Sequence, residues 1–403
     1  MERHRYCVIG AGIVGLSTAH HLLEADPGAT LVVLDGADEV AVHQTGHNSG
    51  VIHSGIYYEP GSLKATLCRA GERATKEFCT AHGVAFDECG KLIVATDDVE
   101  VARLVKLQER AAVNGITCQP VERGELADLE PNVTGLRALH LPATGIVDYR
   151  LVAGKLAELV TAAGGEVRLG ARVDGIVEGA SGVTVSTEAA SLRCDRLVVC
   201  GGLQADRLAA LAGLHAGVQI VPFRGEYYQL PSSRAGFVQR LIYPVPDPDL
   251  PFLGVHLSPT IDGDITVGPS AVLGLAREGY PKFSFDARDA AAMARFPGLW
   301  RVARANIRTG LREIRNSVSK TSYLRECRKY TPGLTADDLL PREAGIRAQA
   351  VRRDGTLVHD FVIERTERMV HVLNAPSPAA TAALPIGRRI AAMAEGRSAA
   401  TGD

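Results

Sequence analysis

The sequence predicts an α/β protein with two domains: one that contains βαβ units and is split along the chain, and an α+β domain with an antiparallel sheet. Three observations support this prediction. Residues 1–35 read as a strand, a glycine-rich turn, a helix and a second strand. Small residues return at the ends of later strands, at 198–202 and 373–381. Between residues 220 and 270, long strands alternate with turns.

Length and composition exclude several classes of protein. A chain of 403 residues fits two domains, and 46% hydrophobic with 22% charged residues is the usual globular balance. The net charge of -2 predicts no nucleic-acid partner. Eight cysteines without a CxxC pair favour reduced thiols. We find no signal peptide and no apolar run long enough to span a membrane, so we expect a cytoplasmic protein.

A glycine-rich turn follows the first predicted strand directly. Gly10, Gly12 and Gly15 have the spacing GxGxxG and open a helix that extends to about residue 25. Gly10 permits the tight turn, Gly12 lets the backbone approach a pyrophosphate, and Gly15 lets helix and strand pack closely. This context predicts a Rossmann-like, dinucleotide-binding unit.

Two further features complete this unit. The first helical turn, with Ile13 and Val14, presents free N–H groups and a positive dipole end to phosphates. Asp35 ends the second strand, twenty residues after Gly15, where its carboxylate can accept hydrogen bonds from a ribose hydroxyl.

The other elements follow in order along the chain. Helices are predicted at 63–82, 99–114, 149–163 and 386–395. Strands are predicted at 90–95, 166–169, 172–177, 182–187, 195–200, 221–230, 241–244, 251–257 and 265–269. The segment 119–141 is rich in proline and reads as loop, whereas 296–330 reads as helical. We assign 1–88, 145–218 and 340–403 to the nucleotide-binding domain, and 89–144 and 219–339 to a substrate-binding domain.

The segment 43–58, HQTGHNSGVIHSGIYY, has an unusual composition. It holds three His, two Tyr and three Gly in sixteen positions, which suits neither a core strand nor a solvated helix. It also follows the nucleotide-binding unit almost at once. We therefore predict that it forms the floor of an active site.

Several motifs together resemble one family. They lie at 43–53, 222–228, 243–248, 345–349 and 373–381. These stretches resemble the L-2-hydroxyglutarate dehydrogenase/oxidase family, within the D-amino-acid-oxidase-like flavoproteins, and the similarity covers essentially the whole chain. The resemblance implies a split FAD-binding domain and a CH–OH oxidoreductase. This enzyme would oxidise L-2-hydroxyglutarate to 2-oxoglutarate by hydride transfer to flavin N5, with electrons passed to a quinone, the electron-transport chain or oxygen.

The resemblance also implies roles for individual positions. Asp35 stands where many relatives carry Glu, and the shorter acid can still reach a ribose. Arg347 matches an arginine that binds a substrate carboxylate in related proteins. The remaining positions implied to contact FAD are Thr45, Gly46, His47, Asn48, Ser49, Val173, Gly201, Gly345, Ser377, Ala380 and Thr381.

Oxidation of a 2-hydroxy acid needs a base for the hydroxyl proton, and His is the first candidate because its pKa lies near the working pH. We predict His53 as this base, since it lies beyond the flavin loop on a small, apolar strand. His47 is the second choice and could instead contact the flavin. The alternative for each His is a structural role.

A dicarboxylate substrate calls for two cationic anchors, preferably arginines. Arg347 and Arg224 are the candidates. Arg224 lies on an apolar strand and needs a partner, which could be the ligand, Glu226 or Asp264. The supporting substrate-binding residues are predicted to be Lys64, Tyr57, Tyr58, Tyr228, Tyr243 and His256. We predict no metal site.

Arginines recur at spacings of three and four between Arg301 and Arg315, opposite an apolar face. One hypothesis is a helix that contacts the inner face of the cytoplasmic membrane or docks a quinone. The alternative is an ordinary domain helix with a solvated arginine face.

Two other functions remain open at this point. An amino-acid or sarcosine-type flavin oxidase would share the fold but need a site that accepts an amine. A non-catalytic FAD-bound subunit would have no need for the His-rich segment at 43–58.

Overall fold

Twenty strands and eleven α-helices form within residues 1–247 and 254–397, the part of the chain that this computed structural model describes. The strands are β1 (Glu2–Ile9), β2 (Leu31–Leu34), β3 (Val51–Ile52), β4 (Phe86–Asp87), β5 (Lys91–Ala95), β6 (Gln119–Glu122), β7 (Arg137–Leu141), β8 (Gly145–Val147), β9 (Glu166–Arg168), β10 (Val173–Gly179), β11 (Gly182–Thr187), β12 (Ser191–Val199), β13 (Val218–Gln229), β14 (Leu241–Pro244), β15 (His256–Pro259), β16 (Ile265–Leu273), β17 (Leu340–Pro341), β18 (Gly345–Arg352), β19 (Val362–Arg365) and β20 (Met369–Asn374). The helices are α1 (Ile13–Ala25), α2 (Leu63–His82), α3 (Asp98–Val113), α4 (Arg123–Leu129), α5 (Tyr149–Ala162), α6 (Ala205–Leu211), α7 (Ala287–Ala294), α8 (Pro297–Ala305), α9 (Ile307–Val318), α10 (Lys320–Cys327) and α11 (Ala383–Ala394).

The first sheet has the order β10-β11-β12-β1-β2-β9, and β20 pairs with β12 and β19. At its centre, β12, β1 and β2 run parallel, and β20 is parallel to β12. The main core of the domain packs α1, α5 and α11 against this sheet. Because the carboxyl ends of parallel strands share one edge, the glycine turn after β1 lies beside the ends of β12 and β20.

The second sheet has the order β17-β13-β16-β15-β14-β5-β7-β6. Strand β18 also pairs with β13, along its first part, whereas β17 pairs with the end of β13. Strands β5, β6 and β7 come from the segment 89–144, and β14 joins them to the later strands by pairing in parallel with β5. Two apolar cores cover this sheet. A sheet of this kind therefore forms only when two distant segments of sequence meet.

The structure differs from the expected domain boundary at residue 340. Strand β18 pairs antiparallel with β13 from Gly345↔Gly225 to Arg352↔Val218, and β17 also joins β13. Residues 340–352 thus belong to the second sheet. The small residues of this segment suggested the nucleotide-binding domain. The pairing partner of a strand depends on tertiary contacts, however, and local composition does not determine it.

The segment 119–141, expected to be loop, contains β6, α4 and β7. Pro120 is tolerated because β6 is the edge strand of its sheet. Helix α4 begins with a capping box in which the backbone N–H of Glu122 donates to Glu125 (3.0 Å). In the predicted strand 251–257, residues 251–253 lie outside the described residues, and β15 begins at His256.

The helical stretch 296–330 consists of three helices, α8, α9 and α10, rather than one. Helix α8 buries Leu299 and Val302, whereas α9 turns its polar side inward. Asn316 is buried, and the carboxylate of Glu313 accepts from the backbone N–H of Ala271 (3.0 Å).

The apolar side of α9 faces outward. Ile307, Leu311, Ile314 and Val318 are between 54% and 67% exposed. Arg308 and Arg315 of the same helix are exposed as well, so a solvated arginine face and a membrane-contacting face both stay open. No helix in the described ranges is long and apolar enough to cross a membrane.

Candidate active site

A cavity of about 1130 Å³ extends between the two sheets. At one end it is lined by the glycine turn, Asp35 and Val173. At the other end its wall includes His53, Tyr243 and Arg347, which come from three different parts of the sequence. The predicted nucleotide-binding and substrate-binding residues therefore border one continuous space.

The glycine turn cannot carry side chains at two of its positions. Gly10 has φ of +111°, and a Cβ there would lie 2.4 Å from the carbonyl oxygen of Cys200. A Cβ on Gly15 would lie 2.0 Å from the carbonyl oxygen of Gly10. Gly15 is thus a packing residue between α1 and β1, while Gly10 and Gly12 line the cavity.

The first turn of α1 is positioned by side chains from neighbouring elements. The backbone N–H of Ile13 donates to Oγ1 of Thr45 (3.1 Å). The carboxylate of Asp35 accepts from the N–H groups of Ala11 (2.6 Å) and Ala37 (2.9 Å) and lies in the cavity wall. Asp35 therefore fixes the turn, and its remaining lone pairs stay available to a ligand.

The loop at 43–49 is stabilised by its own side chains. Nδ2 of Asn48 donates to the carbonyl of Thr45 (2.7 Å), and its Oδ1 accepts from the N–H of Gly50 (2.8 Å). Thr45, Asn48 and Ser49 line the cavity. Gly46 does not, and its carbonyl instead accepts from the guanidinium of Arg150. The predicted cofactor contact at Gly46 is corrected to a packing and hydrogen-bonding position.

His47 borders the cavity but has several protein partners. Its Nδ1 lies 3.0 Å from the carbonyl of His43, and its Nε2 lies 3.2 Å from the carboxylate of Glu343. Its ring stacks on Tyr280 at 3.9 Å between centroids. These contacts with His43, Glu343 and Tyr280 fix the orientation of the His47 ring at the cavity wall.

The loop after β20 forms another part of the wall, with Ser377, Ala380 and Thr381. Thr381 is fully buried, and its Oγ1 accepts from the N–H of His53 (3.1 Å). The same Oγ1 is 3.0 Å from the hydroxyl of Tyr149. Thr381 therefore positions His53, and sequence reasoning missed Tyr149 because nothing local links it to this loop.

Strand β13 presents alternate residues to the cavity. Phe223, Gly225 and Tyr227 line it, so Arg224 and Tyr228 face the other way. The guanidinium of Arg224 donates to the carbonyls of Gly279 (3.1 Å), Tyr280 and Pro281 (2.9 Å) and pairs with Glu226 (3.4 Å).

The prediction of Arg224 as a substrate anchor is therefore corrected. Its charge is satisfied by Glu226 and by carbonyl groups outside the cavity wall. Tyr228, expected as a supporting donor, packs on Tyr323 at 4.8 Å between ring centroids. Tyr227 replaces it in the wall, and burial raises its pKa to about 12.

Strand β18 brings Gly345 and Arg347 to the cavity. A Cβ on Gly345 would lie 2.6 Å from the carbonyl oxygen of His47, so only glycine lets the two segments approach. Arg347 exposes its side chain into the cavity, while the surrounding protein shields it from bulk water. This burial lowers the pKa of its guanidinium.

His53 follows β3 at the inner end of the cavity. Burial lowers the pKa of its imidazole to about 3, and Lys91, His256, Lys64 and Arg347 lower it further by charge repulsion. The ring is therefore neutral at physiological pH. The basic side chains around His53 form a cationic end of the cavity, which favours the binding of an anion.

Tyr243 and His256 form one side of this end. Their rings stack at 3.9 Å, and Nδ1 of His256 lies 3.1 Å from the carbonyl of Gly254. Burial lowers the pKa of His256 to about 3. Both side chains are aromatic walls that carry no charge at physiological pH.

Tyr57, Tyr58 and Lys64 lie just outside the cavity lining. The Lys64 ammonium is 5.1 Å from the centroid of the Tyr58 ring, and burial lowers the Lys64 pKa to about 8, with Arg347 lowering it further. The expectation that these three side chains line the site is corrected, because they lie outside the set of residues that line the cavity.

Lys91 is the cation that sequence reasoning missed. It is only 2% exposed, in the fully buried strand β5, with its ammonium over the rings of Tyr57 and Tyr243. A lysine within the otherwise apolar run GKLIVA was the one available signal.

Comparison with known proteins defines the class. The chain matches the family described as FAD dependent oxidoreductase over residues 5–393. Its fold is similar to L-alpha-glycerophosphate oxidase from Mycoplasma pneumoniae, with a TM-score of 0.81 and 22% identity, over 98% of this chain and 95% of that chain. It is also similar to glycine oxidase from Geobacillus kaustophilus, with a TM-score of 0.75 and 17% identity, over 99% and 96%. At these identities the likeness concerns the fold alone.

Curated relatives narrow the class further. The chain is 48% identical over 386 residues to L-2-hydroxyglutarate dehydrogenase from Escherichia coli K12, covering 96% of this chain and 92% of the relative. It is 42% identical over 402 residues to mitochondrial L-2-hydroxyglutarate dehydrogenase from Homo sapiens, covering 95% and 87%. The chain therefore belongs to the FAD-dependent oxidoreductases, in the L-2-hydroxyglutarate dehydrogenase family. The predicted family and fold class are confirmed.

FAD is the cofactor of this family, and the predicted cofactor is confirmed. The residues present fit it. Gly10 has no room for a side chain, and a Cβ on Gly12 would lie 3.3 Å from Oγ1 of Thr45, so the backbone beside the open N-terminus of α1 is left bare for a pyrophosphate. The cavity then extends past Asp35 and Val173 in one direction and Ser49 and Thr381 in the other. These residues would hold the two halves of the dinucleotide.

Proposed function

We propose that the protein oxidises L-2-hydroxyglutarate to 2-oxoglutarate. The cationic end of the cavity around His53 carries this proposal, because a dianion offsets the charge of Arg347, Lys64 and Lys91. The names of the relatives support the same substrate. After burial itself, the groups with the largest effects on the pKa of the His53 imidazole are all basic. A protonated amine would be repelled there, which disfavours an amino-acid or sarcosine-type substrate.

Each residue near the reacting carbon has a distinct role in this proposal. When bound, FAD would supply the hydride acceptor for oxidation at C2 of the substrate. The guanidinium of Arg347 holds the carboxylate next to C2, since its planar fork matches carboxylate geometry. The substrate hydroxyl proton moves to an imidazole nitrogen of His53, which is neutral and so able to accept it.

The low pKa of His53 in the free protein suits a base that acts only on bound substrate. The dianion balances the cations that depress this pKa, so binding raises it toward the range where proton transfer is efficient. The hydrogen bond from the His53 N–H to Thr381 keeps the backbone in place. Tyr243 and His256 exclude water from the same side.

An anaerobic experiment tests the function. Purified protein is mixed with L-2-hydroxyglutarate, its D-enantiomer, L-amino acids or sarcosine, and the visible flavin absorbance is followed. We expect bleaching with L-2-hydroxyglutarate and release of 2-oxoglutarate. Bleaching with an amine substrate alone would overturn the proposal, and absence of bleaching with every substrate would favour a non-catalytic subunit.

We also propose that electrons leave toward a quinone at an anionic membrane surface that α9 contacts. The support is the outward apolar side of this helix, which exposes Ile307, Leu311, Ile314 and Val318 in one stripe. Arg308 and Arg315 are exposed on the same helix and provide attraction to anionic lipid. Adding a soluble quinone analogue or oxygen to the substrate-reduced protein identifies the acceptor by the rate at which absorbance returns.

A further inference from the structure

Lys91 is a buried cation without a counter-ion in the described structure. Its side chain is 2% exposed, and among residues 1–247 and 254–397 no carboxylate pairs with its ammonium. The ammonium instead lies 3.9 Å from the ring centroid of Tyr243 and 4.3 Å from that of Tyr57. Burial lowers its pKa to about 7.

These two ring contacts do not balance the cost of burial. Cation–π contacts stabilise an ammonium by less than its removal from water costs, even after relaxation of the surroundings. The neighbouring titratable groups are Tyr57, Tyr243, Cys68, His53 and His256, and all five are neutral at physiological pH, since burial raises the pKa of the phenols and of the thiol and lowers that of the imidazoles. With a pKa of about 7, the ammonium and amine forms of Lys91 coexist near neutral pH, and an anion bound close by would favour the charged form.

The position of Lys91 shows where such an anion would lie. Its ammonium lies against Tyr243, whose ring is in the cavity wall, and Tyr243 stacks on His256. Among charged groups, Lys91 has the largest effect on His53. Arg347 reaches the same end of the cavity from β18, on another part of the sheet. Two cations on separate strands thus lie near His53: Arg347 in the cavity lining, and Lys91 against the ring of Tyr243, which lines the cavity.

We propose that Lys91 is a specificity-determining residue that selects a dicarboxylate, with its charge attracting the carboxylate remote from the reacting carbon toward the part of the cavity wall that Tyr243 forms. The inference rests on the proposed function, in which Arg347 holds the other carboxylate. The ring of Tyr243 forms part of the cavity wall at this point. The attraction between the Lys91 ammonium and a carboxylate stays strong across this wall because the dielectric constant of the protein interior is low. A monocarboxylate of equal length gains nothing from Lys91.

The test compares two substrates in the FAD-bound protein. L-2-hydroxypentanoate has the chain length of L-2-hydroxyglutarate but carries a methyl group in place of the second carboxylate. In Lys91→Met, we expect KM for L-2-hydroxyglutarate to rise by about 10- to 100-fold, as loss of a charge–charge attraction in a shielded site would cause. We expect the ratio of kcat/KM for L-2-hydroxyglutarate to kcat/KM for L-2-hydroxypentanoate to fall by the same factor, because any effect of the substitution on the His53 imidazole acts on both substrates. Lys106→Met, at an exposed lysine of α3, is the matched control.

The outcomes separate this inference from the proposed function. If the wild type is not bleached by L-2-hydroxyglutarate, the proposed function fails. If it is bleached and Lys91→Met keeps the wild-type preference for the diacid, only the role of Lys91 is refuted. Retained turnover of L-2-hydroxypentanoate shows that the variant is folded.

A second measurement needs no variant. Glutarate and pentanoate are compared as inhibitors of the wild type while pH is raised. We expect the preference for glutarate to decline as Lys91 loses its proton, and a preference that does not change with pH would also refute the role.

Discussion

One step along strand β13 separates residues that line the cavity from residues that do not. Arg224 and Arg347 both looked like carboxylate anchors in sequence, yet only Arg347 reaches the cavity. Alternation of side chains is a local property, but the choice of the cavity face depends on β18 and β16, which flank β13 on either side. Residue identity alone could not distinguish the two arginines.

Exchanging each arginine for methionine should give opposite results. Arg347→Met is expected to raise KM for L-2-hydroxyglutarate by about 10- to 100-fold, because a charge-assisted carboxylate contact is lost. Arg224→Met is expected to leave KM unchanged but to lower the free energy of unfolding by about 2–4 kcal/mol, since Glu226 and three carbonyls lose their partner. Steady-state kinetics and urea denaturation measure the two effects. A KM defect in Arg224→Met would contradict this separation.

His53 and His47 also look alike in sequence but have different surroundings: basic groups surround His53, whereas His47 contacts Glu343 and Tyr280. We expect His53→Ala to lower the rate of flavin bleaching by about 100- to 10,000-fold, the usual contribution of a positioned base. His47→Ala should have a smaller effect, since its ring already contacts Glu343 and Tyr280. Rapid-mixing absorbance gives the rates, with FAD content as the control. If His47→Ala abolishes bleaching while His53→Ala does not, the assignment of the base is wrong.

At the scale of elements, α9 shows that an amphipathic sequence pattern predicts a helix but does not determine which side of the helix is buried. The spacing of its arginines and apolar residues predicts an amphipathic helix, which the structure contains. The pattern does not state which side faces the protein. Buried Asn316 and the hydrogen bond from Ala271 to Glu313 orient the polar side inward.

Replacing two residues of this outward side tests the proposed membrane contact. Leu311→Gln with Ile314→Gln should lower the fraction bound to phosphatidylserine-containing vesicles by at least about tenfold, because two apolar side chains no longer enter the lipid. Folding should be unaffected, since both positions are exposed. Val105→Gln, at an exposed valine of α3, is the control in the same co-sedimentation assay.

Several results would contradict the membrane contact. Equal sedimentation of the double variant and the wild type is one. Loss of a dimer in the variant, without any vesicle binding by the wild type, would assign the face to a second copy of the chain. Binding that persists at high salt on neutral vesicles would exclude the role of the arginines.

At the scale of the whole molecule, burial of neutral histidines couples stability to pH. His371 on β20 is fully buried, its ring nitrogens have no hydrogen-bond partner in the described structure, and burial lowers its pKa to about 4. The unfolded chain has a His pKa of about 6.5 and so binds more protons below that pH. Stability from His371 is therefore present above pH 6.5 and is lost as pH falls toward 4.

Urea denaturation at two pH values measures this coupling, with FAD at the same excess. Between about pH 7.5 and 5.5, His371 should account for a loss of about 1.4 kcal/mol in the free energy of unfolding. His371→Leu should reduce the pH dependence by that amount, whatever its effect on absolute stability. An unchanged pH dependence would mean that folding does not lower the pKa of His371.

The sequence by itself determined the βαβ unit and most helices and strands, because these depend on short-range periodicity and on motifs such as Gly10–Gly15. FAD and the family followed from the resemblance of its motifs to known proteins. It also singled out the segment 43–58, which carries His53 to the cavity. Tertiary structure alone decided that β18 joins the second sheet, that Arg224 faces away and that α9 exposes its apolar side.

Lys91 is the clearest case of this division. In sequence it is one lysine in an apolar strand, and only the pairing of β5 with β14 brings it against Tyr243 and close to His53. The physical reason is that the charge of a site is a sum over residues from distant segments. Local patterns specify which residues form each strand, whereas long-range packing specifies which charges meet.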